Sequence, residues 1–493
     1  MLPRLTISQR LPSLFLVRVL LLLVALSFLG APPIALGQPL ASLTNPRTAL
    51  EEYVRAPDQH YSFVVVDVED ELLLTRYTIR MQSQAWNPGG EVLNRTIWEH
   101  GIALLVPRFI ATDNTGLLLI TGGSNDDELI DDDDVEGAAL VALSTGSVVA
   151  VLFQVPNQPL QFRDEPFDHK EDQLVAYSWD KAMDTGDYSW PVYLPMVKSA
   201  VRAMDTVQAL FPQISQFVVT GFSKRGAATW LTATVDPRVK AIAPGVFDVL
   251  NFSPQAERHV KVYGCFARAL KNYDDYQLFQ RTNTPEGAAL RLVVDPYSYV
   301  LRPRFRERLS LPKYILNSTG DQLFVPDAAR FYWGRLPGEK HIRYVPNSDH
   351  SLSNSEAVLA NTLTGFLGWY RTVLSDTQRP QVSWSLNRSG ALVVRTSPPA
   401  PAARLWQATN ATARDFRLKS IGEAWTSSVL SSTPDGRYEV QVPPPSAGWT
   451  AYFVELTYPN AAQQVYSTQV FVTPDQPRPF EEVDVTEATV CSQ

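Results

Sequence analysis

Between residues 38 and 375, short apolar runs alternate with stretches in which apolar residues recur at helical spacing. The short runs predict strands, and residues 195–211 and 224–234 have the spacing of amphipathic helices. Alternating strands and helices are typical of an α/β fold with a mostly parallel sheet and flanking helices. The predicted strands are residues 62–68, 77–81, 101–106, 117–120, 147–153, 217–220, 240–246, 314–316 and 341–345.

The pattern changes near Thr377, where helical spacing disappears and proline-rich turns separate short alternating runs. These runs predict an all-β sandwich of immunoglobulin or fibronectin type at residues 376–475. Residues 476–493 are acidic and contain prolines, which predicts a flexible tail. The strands of the predicted sandwich are residues 382–386, 391–396, 404–408, 437–442, 451–458 and 465–472.

The first 37 residues have the pattern of an export signal. A basic leader precedes a short apolar block at residues 19–30, and small residues follow at 35–37. About 20 apolar residues are needed to span a bilayer, so the block predicts a cleaved signal peptide, with an uncleaved anchor as the alternative. We therefore expect a secreted protein with no stable membrane span. Five glycosylation sequons fit export, at Asn94, Asn251, Asn317, Asn387 and Asn410.

Composition excludes several classes of function. Lys and Arg number 43 and Asp and Glu number 51, with a net charge of −8 and no long basic stretch, so we expect no nucleic-acid partner. Cys265 and Cys491 are too few for a cysteine-based metal site, and the sequence leaves their pairing open. The acidic loop at 126–134 could hold a cation, but its spacing favours a solvated loop. We expect neither a metal nor a cofactor.

The segment 217–226 carries the strongest chemical signal. A buried strand runs into Gly221-Phe222-Ser223-Lys224-Arg225-Gly226, and a helix follows at once. A nucleophile elbow requires this strand–turn–helix setting, because the turn presents the serine hydroxyl at the edge of the sheet. Arg225 stands where the usual pattern has glycine. The setting predicts Ser223 as a nucleophile and an α/β-hydrolase domain at residues 38–375.

A serine nucleophile needs a base and an acid that orients the base. In α/β-hydrolases the acid and then the histidine follow the serine along the chain. Asp321 comes just after the strand at 314–316, and His350 lies on the loop after the last strand of the domain. Asp248 is a rival acid, which we disfavour because of its place in the chain order. Asp349 is interpreted as a loop-capping residue.

An oxyanion hole needs two aligned backbone N–H donors. One is expected from the residue after the nucleophile, Lys224. The other is expected from the loop after the strand at 117–120, around Gly123 and Ser124, where glycines allow a close approach of the backbone.

Several short segments of the sequence together indicate a family. They include LEEYV at 50–54, TGGSN at 121–125, SKRG at 223–226, TWLTA at 229–233, VDPRVKAI at 235–242, DVLN at 248–251, DPYSY at 295–299 and LPGEK at 336–340. In combination they resemble the PhoPQ-activated pathogenicity-related family, and the likeness covers most of residues 48–375. The resemblance implies an exported α/β-hydrolase-like protein with a C-terminal β-sandwich, and it leaves the substrate undefined.

The sequence as a whole predicts a secreted serine hydrolase that cleaves an ester or amide (peptide) bond in a small molecule or peptide. The aromatic-rich segment 259–293 is either a cap over the site or ordinary helical packing, and residues 165–190 are expected on the opposite side. The alternative is a non-enzymatic signalling or binding protein on the same scaffold, with a cell-surface partner.

Overall fold

The computed structural model describes residues 40–111, 114–400, 402–459 and 463–491. The predicted signal peptide, residues 1–37, lies outside these ranges. The strands are β1 (Ser62–Asp70), β2 (Leu74–Ala85), β3 (Ile97–Pro107), β4 (Thr115–Ile120), β5 (Val149–Leu152), β6 (Gln216–Phe222), β7 (Val239–Gly245), β8 (Lys313–Ser318), β9 (Lys340–Val345), β10 (Gln381–Leu386), β11 (Leu392–Ser397), β12 (Ala402–Asn410), β13 (Thr426–Val429), β14 (Tyr438–Val440), β15 (Trp449–Tyr458), β16 (Gln464–Ser467) and β17 (Phe471–Thr473).

Two of the helices, α4 (Tyr193–Leu210) and α5 (Lys224–Val235), lie on the amphipathic stretches predicted from the sequence, at residues 195–211 and 224–234. No helix in the described ranges is both long and apolar enough to cross a bilayer. They are α1 (Ala49–Arg55), α2 (Asp132–Thr145), α3 (Glu171–Thr185), α4 (Tyr193–Leu210), α5 (Lys224–Val235), α6 (Phe252–Tyr263), α7 (Lys271–Asp275), α8 (Pro285–Val294), α9 (Pro296–Val300), α10 (Pro303–Arg308), α11 (Glu356–Leu374) and α12 (Leu418–Ile421).

The centre of the fold is a run of parallel strands in the order β5-β4-β6-β7-β8-β9. Successive residues of β6 point to opposite faces, so Val218 and Val219 belong to different apolar cores. Helices α4 and α5 cover one face, while α2 and α11 cover the other. Strands buried on both faces are typical of parallel α/β sheets. The predicted α/β class, with a largely parallel sheet and flanking helices, is confirmed for this part of the chain.

Parallel strands bring their carboxyl ends to one edge of the sheet. The loops after β4, β6, β8 and β9 therefore meet there. These loops contain the oxyanion candidates, Ser223, Asp321 and His350, respectively.

The C-terminal region is all-β apart from the one-turn helix α12, but its strands do not stand apart from the parallel sheet. Strand β16 pairs with β9 at Ser467 and Ile342, so the large sheet continues through β16-β15-β12-β13. A second sheet contains β10, β11 and β14. Residues Pro39–Gln493 form one compact unit. A domain boundary at residues 375/376 stays a prediction.

The C-terminal tail differs from expectation. Residues 476–491 were expected to be flexible, yet Val485 and Ala488 pack against Val260 and Phe266. The Cys491 N–H donates to the Phe266 carbonyl at 2.8 Å, and a disulfide joins Cys491 to Cys265. The prediction of flexibility rested on the acidic residues of the tail. It overlooked the alternating apolar residues, which pack the tail against α6.

The sequons differ in exposure. Asn387 is exposed, whereas Asn317 is 1% exposed and donates to Tyr332. A glycan has no room at Asn317, and glycosylation of the other sequons stays a prediction.

A buried carboxylate links three distant parts of the chain. Asp327 follows β8 and contacts Arg258 of α6 and Arg414 of the C-terminal region, the latter at 3.0 Å. All three side chains are at most 3% exposed. Burial opposes ionisation of Asp327, but Arg414 and Arg258 hold the pKa of its carboxyl well below the usual range.

We expect Asp327→Asn to lower the free energy of unfolding by about 3 kcal/mol, because Arg258 and Arg414 lose their buried countercharge. Their remaining partner is Asp475, at 2.8 and 3.7 Å, and its side chain is 41% exposed. Urea denaturation followed by tryptophan fluorescence measures the loss. Asp376→Asn is the matched control, because Asp376 pairs with Lys240 on the surface and its side chain is 77% exposed. The free energy of unfolding of the control should fall by only a small fraction of the loss in Asp327→Asn. Equal losses in the two variants would contradict the account.

Candidate active site

Ser223 occupies a strained turn between β6 and α5. Its backbone has φ 57° and ψ −127°, in a region that side chains other than glycine rarely adopt. A Cβ atom at Gly221 would lie 2.8 Å from the Arg225 carbonyl oxygen, and one at Gly226 would lie 2.9 Å from the Gly245 carbonyl oxygen. The two glycines therefore permit the close approach that a nucleophile elbow needs.

The structure places Asp321 beside His350. The Nδ1 atom of His350 lies 2.8 Å from Oδ2 of Asp321, and the other carboxylate oxygen accepts from the Leu323 N–H at 2.7 Å. The Gln322 side chain holds the His350 backbone N–H at 3.1 Å. Burial lowers the pKa of His350, but the Asp321 carboxylate more than offsets this, so the net shift is upward.

The second ring nitrogen of His350 has no partner. The Nε2 atom is buried and makes no hydrogen bond within the described chain, and Ser223 makes no side-chain hydrogen bond there either. A serine nucleophile and its base are expected at hydrogen-bond distance, about 2.6–3.2 Å. That contact between Ser223 and His350 is not made in this structure. Such contacts are often open without substrate.

Asp248, the rival acid, lies elsewhere. It accepts hydrogen bonds from the hydroxyls of Tyr332 at 2.5 Å and Tyr344 at 2.6 Å. Burial raises the pKa of Asp248 to about 7. Asp349 accepts from the Ser351 N–H and hydroxyl, as expected of a loop cap. Of the three carboxylates, only Asp321 contacts the imidazole of His350.

The backbone donors expected for an oxyanion hole are free. The N–H of Lys224 has no acceptor within the described chain, and the same holds for Gly122, Gly123 and Ser124. Gln158 holds the Gly123 carbonyl at 3.0 Å, which fixes the loop from the opposite side.

An ionic cluster joins the elbow to this loop. Arg225 donates to both oxygens of Glu171, at 2.5 and 2.7 Å, and to the Val155 carbonyl at 2.5 Å. Lys224 adds a contact of 2.7 Å to Glu171. Burial raises the pKa of Glu171, but Arg225 and then Lys224 hold it well below its usual range. A Cβ at Gly122 would lie 2.8 Å from Arg225, so the guanidinium also packs directly on the loop.

Ser223 lies at the wall of a cavity of about 150 Å³. Lys224, segments 172–193 and 247–294 and residues 323–325 supply the rest of the lining, so the aromatic-rich segment contributes to the wall of the cavity. The lining is mainly apolar and includes Trp179, Tyr193, Phe247, Phe252, Phe266, Tyr273, Phe279, Leu290 and Phe324.

Two features of the site were not anticipated. The roles of Arg225 and Gln158 in fixing the loop were missed, although Arg225 in place of the usual glycine was a signal.

The described residues contain no group of three or more His, Cys, Asp and Glu side chains that could hold a metal ion.

We expect Asp321→Asn to lower the pKa of His350, because burial then acts without the carboxylate that offsets it. An NMR titration of the imidazole proton should give a midpoint above 6.5 in the unmodified protein and a lower one in the variant. Asp349→Asn is the control and should leave the midpoint unchanged. An Asp321→Asn midpoint equal to that of the unmodified protein would disprove the electrostatic pairing.

Comparisons with known proteins place the chain in a family. The family model for the PhoPQ-activated pathogenicity-related protein matches residues 50–417. Autocrine proliferation repressor protein A of Dictyostelium discoideum is 32% identical over 460 residues, which cover 87% of this chain and 91% of that protein.

Solved structures are more distant. Acetyl xylan esterase 1 from Thermoanaerobacterium sp. has a TM-score of 0.42 and 13% identity, over 65% of this chain and 95% of its own. A glucuronoyl esterase from Solibacter usitatus has a TM-score of 0.40 and 14% identity, over 71% and 99% of the two chains. Likenesses at these TM-scores are too weak to inform the site. The family model and the curated relative suffice: the chain belongs to the family of PhoPQ-activated pathogenicity-related proteins.

Proposed function

We propose that this protein is a serine hydrolase that cleaves an ester or amide bond. The observation that carries the proposal is the Asp321–His350 pair, at 2.8 Å, on the sheet edge that also bears Ser223 on its strained turn. A nucleophile, a base and an orienting acid are the three groups that acyl transfer by serine requires.

Each group has a defined task. The Ser223 Oγ attacks the carbonyl carbon while its proton passes to Nε2 of His350, and the same proton then goes to the leaving alcohol or amine as the bond to carbon breaks. Asp321 holds the Nδ1 proton and stabilises the imidazolium. The N–H groups of Lys224 and of the Gly123–Ser124 turn receive the developing oxyanion. Water then reverses the sequence and releases the acid.

Closure of the gap between Ser223 and His350 is part of the proposal. The free Nε2 atom is buried, and leaving such a group without a partner costs about 1–3 kcal/mol. A hydrogen bond from the Ser223 hydroxyl removes that cost. Because the pKa of His350 is raised, the neutral base is lost as the pH falls through that value, so activity should rise with pH there.

We further propose that the protein is exported and acts outside the cytoplasm. Support comes from the apolar leader in residues 1–37 and from a curated relative named as an autocrine factor. N-terminal sequencing of the secreted protein should begin near Gln38; a secreted form that retains Met1 would contradict cleavage.

A non-enzymatic signalling role is the second candidate. The observation that favours it is the open contact between Ser223 and His350, together with the relative's name, a proliferation repressor. A cell-surface partner would then replace the substrate.

A fluorophosphonate probe separates the two candidates. Because the probe reacts with activated serines, we expect covalent labelling of the folded protein. The labelling should be absent in Ser223→Ala. In His350→Ala the rate of labelling should fall by several orders of magnitude. Asp321→Asn should slow ester turnover by about 10⁴-fold, since it favours the wrong tautomer.

Ser310→Ala is the matched control, because Ser310 is exposed and lies on the loop before β8. It should label like the unmodified protein. Absence of labelling in folded, unmodified protein would refute the hydrolase and favour the signalling role.

A further inference from the structure

The cavity beside Ser223 has the size of one aromatic ring. Its volume is about 150 Å³, and an apolar cavity of about that volume binds benzene in another protein. Trp179, Phe252 and Phe279 line it, and the last residue stacks on Phe266 at 3.7 Å between ring centroids. A long acyl chain would have to extend beyond this volume.

Most polar groups in the lining already have partners. Asp172 contacts Lys224 at 3.2 Å and accepts from the Tyr273 hydroxyl at 3.1 Å. His259 accepts from the Ala267 N–H at 2.9 Å, so it adds no free acceptor there. The remaining polar groups of the lining bond to nearby carbonyl groups: Gln255, Thr282 and Arg291.

Besides Ser223, two groups in the lining lack partners. The indole N–H of Trp179 is buried and has no acceptor in the described chain. The hydroxyl of Tyr193, a residue only 2% exposed, makes no hydrogen bond there either. The centroids of the two rings lie 5.4 Å apart, so the rings are neighbours in the wall. The Trp179 N–H has no accessible surface even toward the cavity, whereas the Tyr193 hydroxyl is not closed off in this way. An unpaired buried donor costs free energy, and each one in a native structure calls for an explanation such as a ligand.

The cavity suits the acyl side of the substrate. The leaving group must reach His350 to receive its proton. His350 lines neither the cavity nor a separate surface groove, but Gln322, which holds its backbone N–H, and its chain neighbour Asp349 both line that groove. The leaving group therefore lies on the groove side, and the acyl group fills the cavity.

We propose that the cavity binds an acyl group with a single aromatic ring that carries a hydrogen-bond-accepting oxygen, held by the Tyr193 hydroxyl. The inference rests on the proposed hydrolase function, and it adds a substrate class: esters or amides of ring-substituted benzoic acids.

The test compares the 4-nitrophenyl esters of acetic, benzoic, 3-methoxybenzoic, 4-methoxybenzoic and dodecanoic acids. The enzymatic kcat/KM of each ester is divided by the rate constant of its hydrolysis by hydroxide, which corrects for differences in intrinsic reactivity. We expect kcat/KM for one of the two methoxybenzoates, 3- or 4-methoxy, to exceed kcat/KM for benzoate about tenfold. A tenfold ratio corresponds to the free energy of one hydrogen bond to a buried donor. Benzoate should exceed dodecanoate. Tyr193→Phe should reduce the ratio of kcat/KM for the methoxybenzoate to kcat/KM for benzoate at least threefold.

Tyr188→Phe is the control, because Tyr188 is buried outside the cavity; it should keep the preference. A dodecanoate preference, or a methoxy preference that survives Tyr193→Phe, would overturn the inference. Binding of methyl methoxybenzoates and methyl benzoate to Ser223→Ala, followed by NMR, separates the two failures. Selective binding without turnover in the unmodified protein contradicts the hydrolase but supports the pocket, whereas turnover without selectivity overturns the pocket alone.

Discussion

The junction between β6 and α5 determines where every group of the candidate site lies. Ser223 is held at a positive φ, which costs about 1–3 kcal/mol, so the surrounding structure must over-determine it. Tight contacts at Gly221 and Gly226 and the paired hydrogen bonds of Arg225 to Glu171 supply that constraint. The same guanidinium packs on Gly122, so Ser223 and the loop at residues 122–124 are positioned together.

The cavity depends on parts of the chain that are far apart in sequence. Helix α3 and segment 247–294 supply its aromatic walls, and the tail supports α6 through Val485 and the bond between Cys265 and Cys491. Asp327 joins the same helix to the C-terminal region through Arg258 and Arg414. The C-terminal region therefore contributes to the shape of the site without supplying a reacting group.

The sequence predicted the groups whose position follows from topology. Asp321 and His350 each come directly after a strand, and parallel strands bring such residues to one edge, so their pairing could be inferred without side-chain detail. Packing partners could not be inferred in this way. Three contacts depend on complementarity between surfaces that are far apart in sequence, which the periodicity of a single segment does not indicate. They are the pairing of β16 with β9, the packing of the tail against α6 and the contact of Arg225 with Gly122.

The assignment of Ser223 as a nucleophile is the claim on which the account depends, and a crystal structure of the protein after reaction with a fluorophosphonate tests it most directly. The account predicts phosphorus bonded to Oγ of Ser223, a phosphonyl oxygen within about 3 Å of the N–H groups of Lys224 and of the Gly123–Ser124 turn, and His350 still paired with Asp321. An adduct on another residue, or an unmodified Ser223 in crystals soaked to saturation, would contradict it.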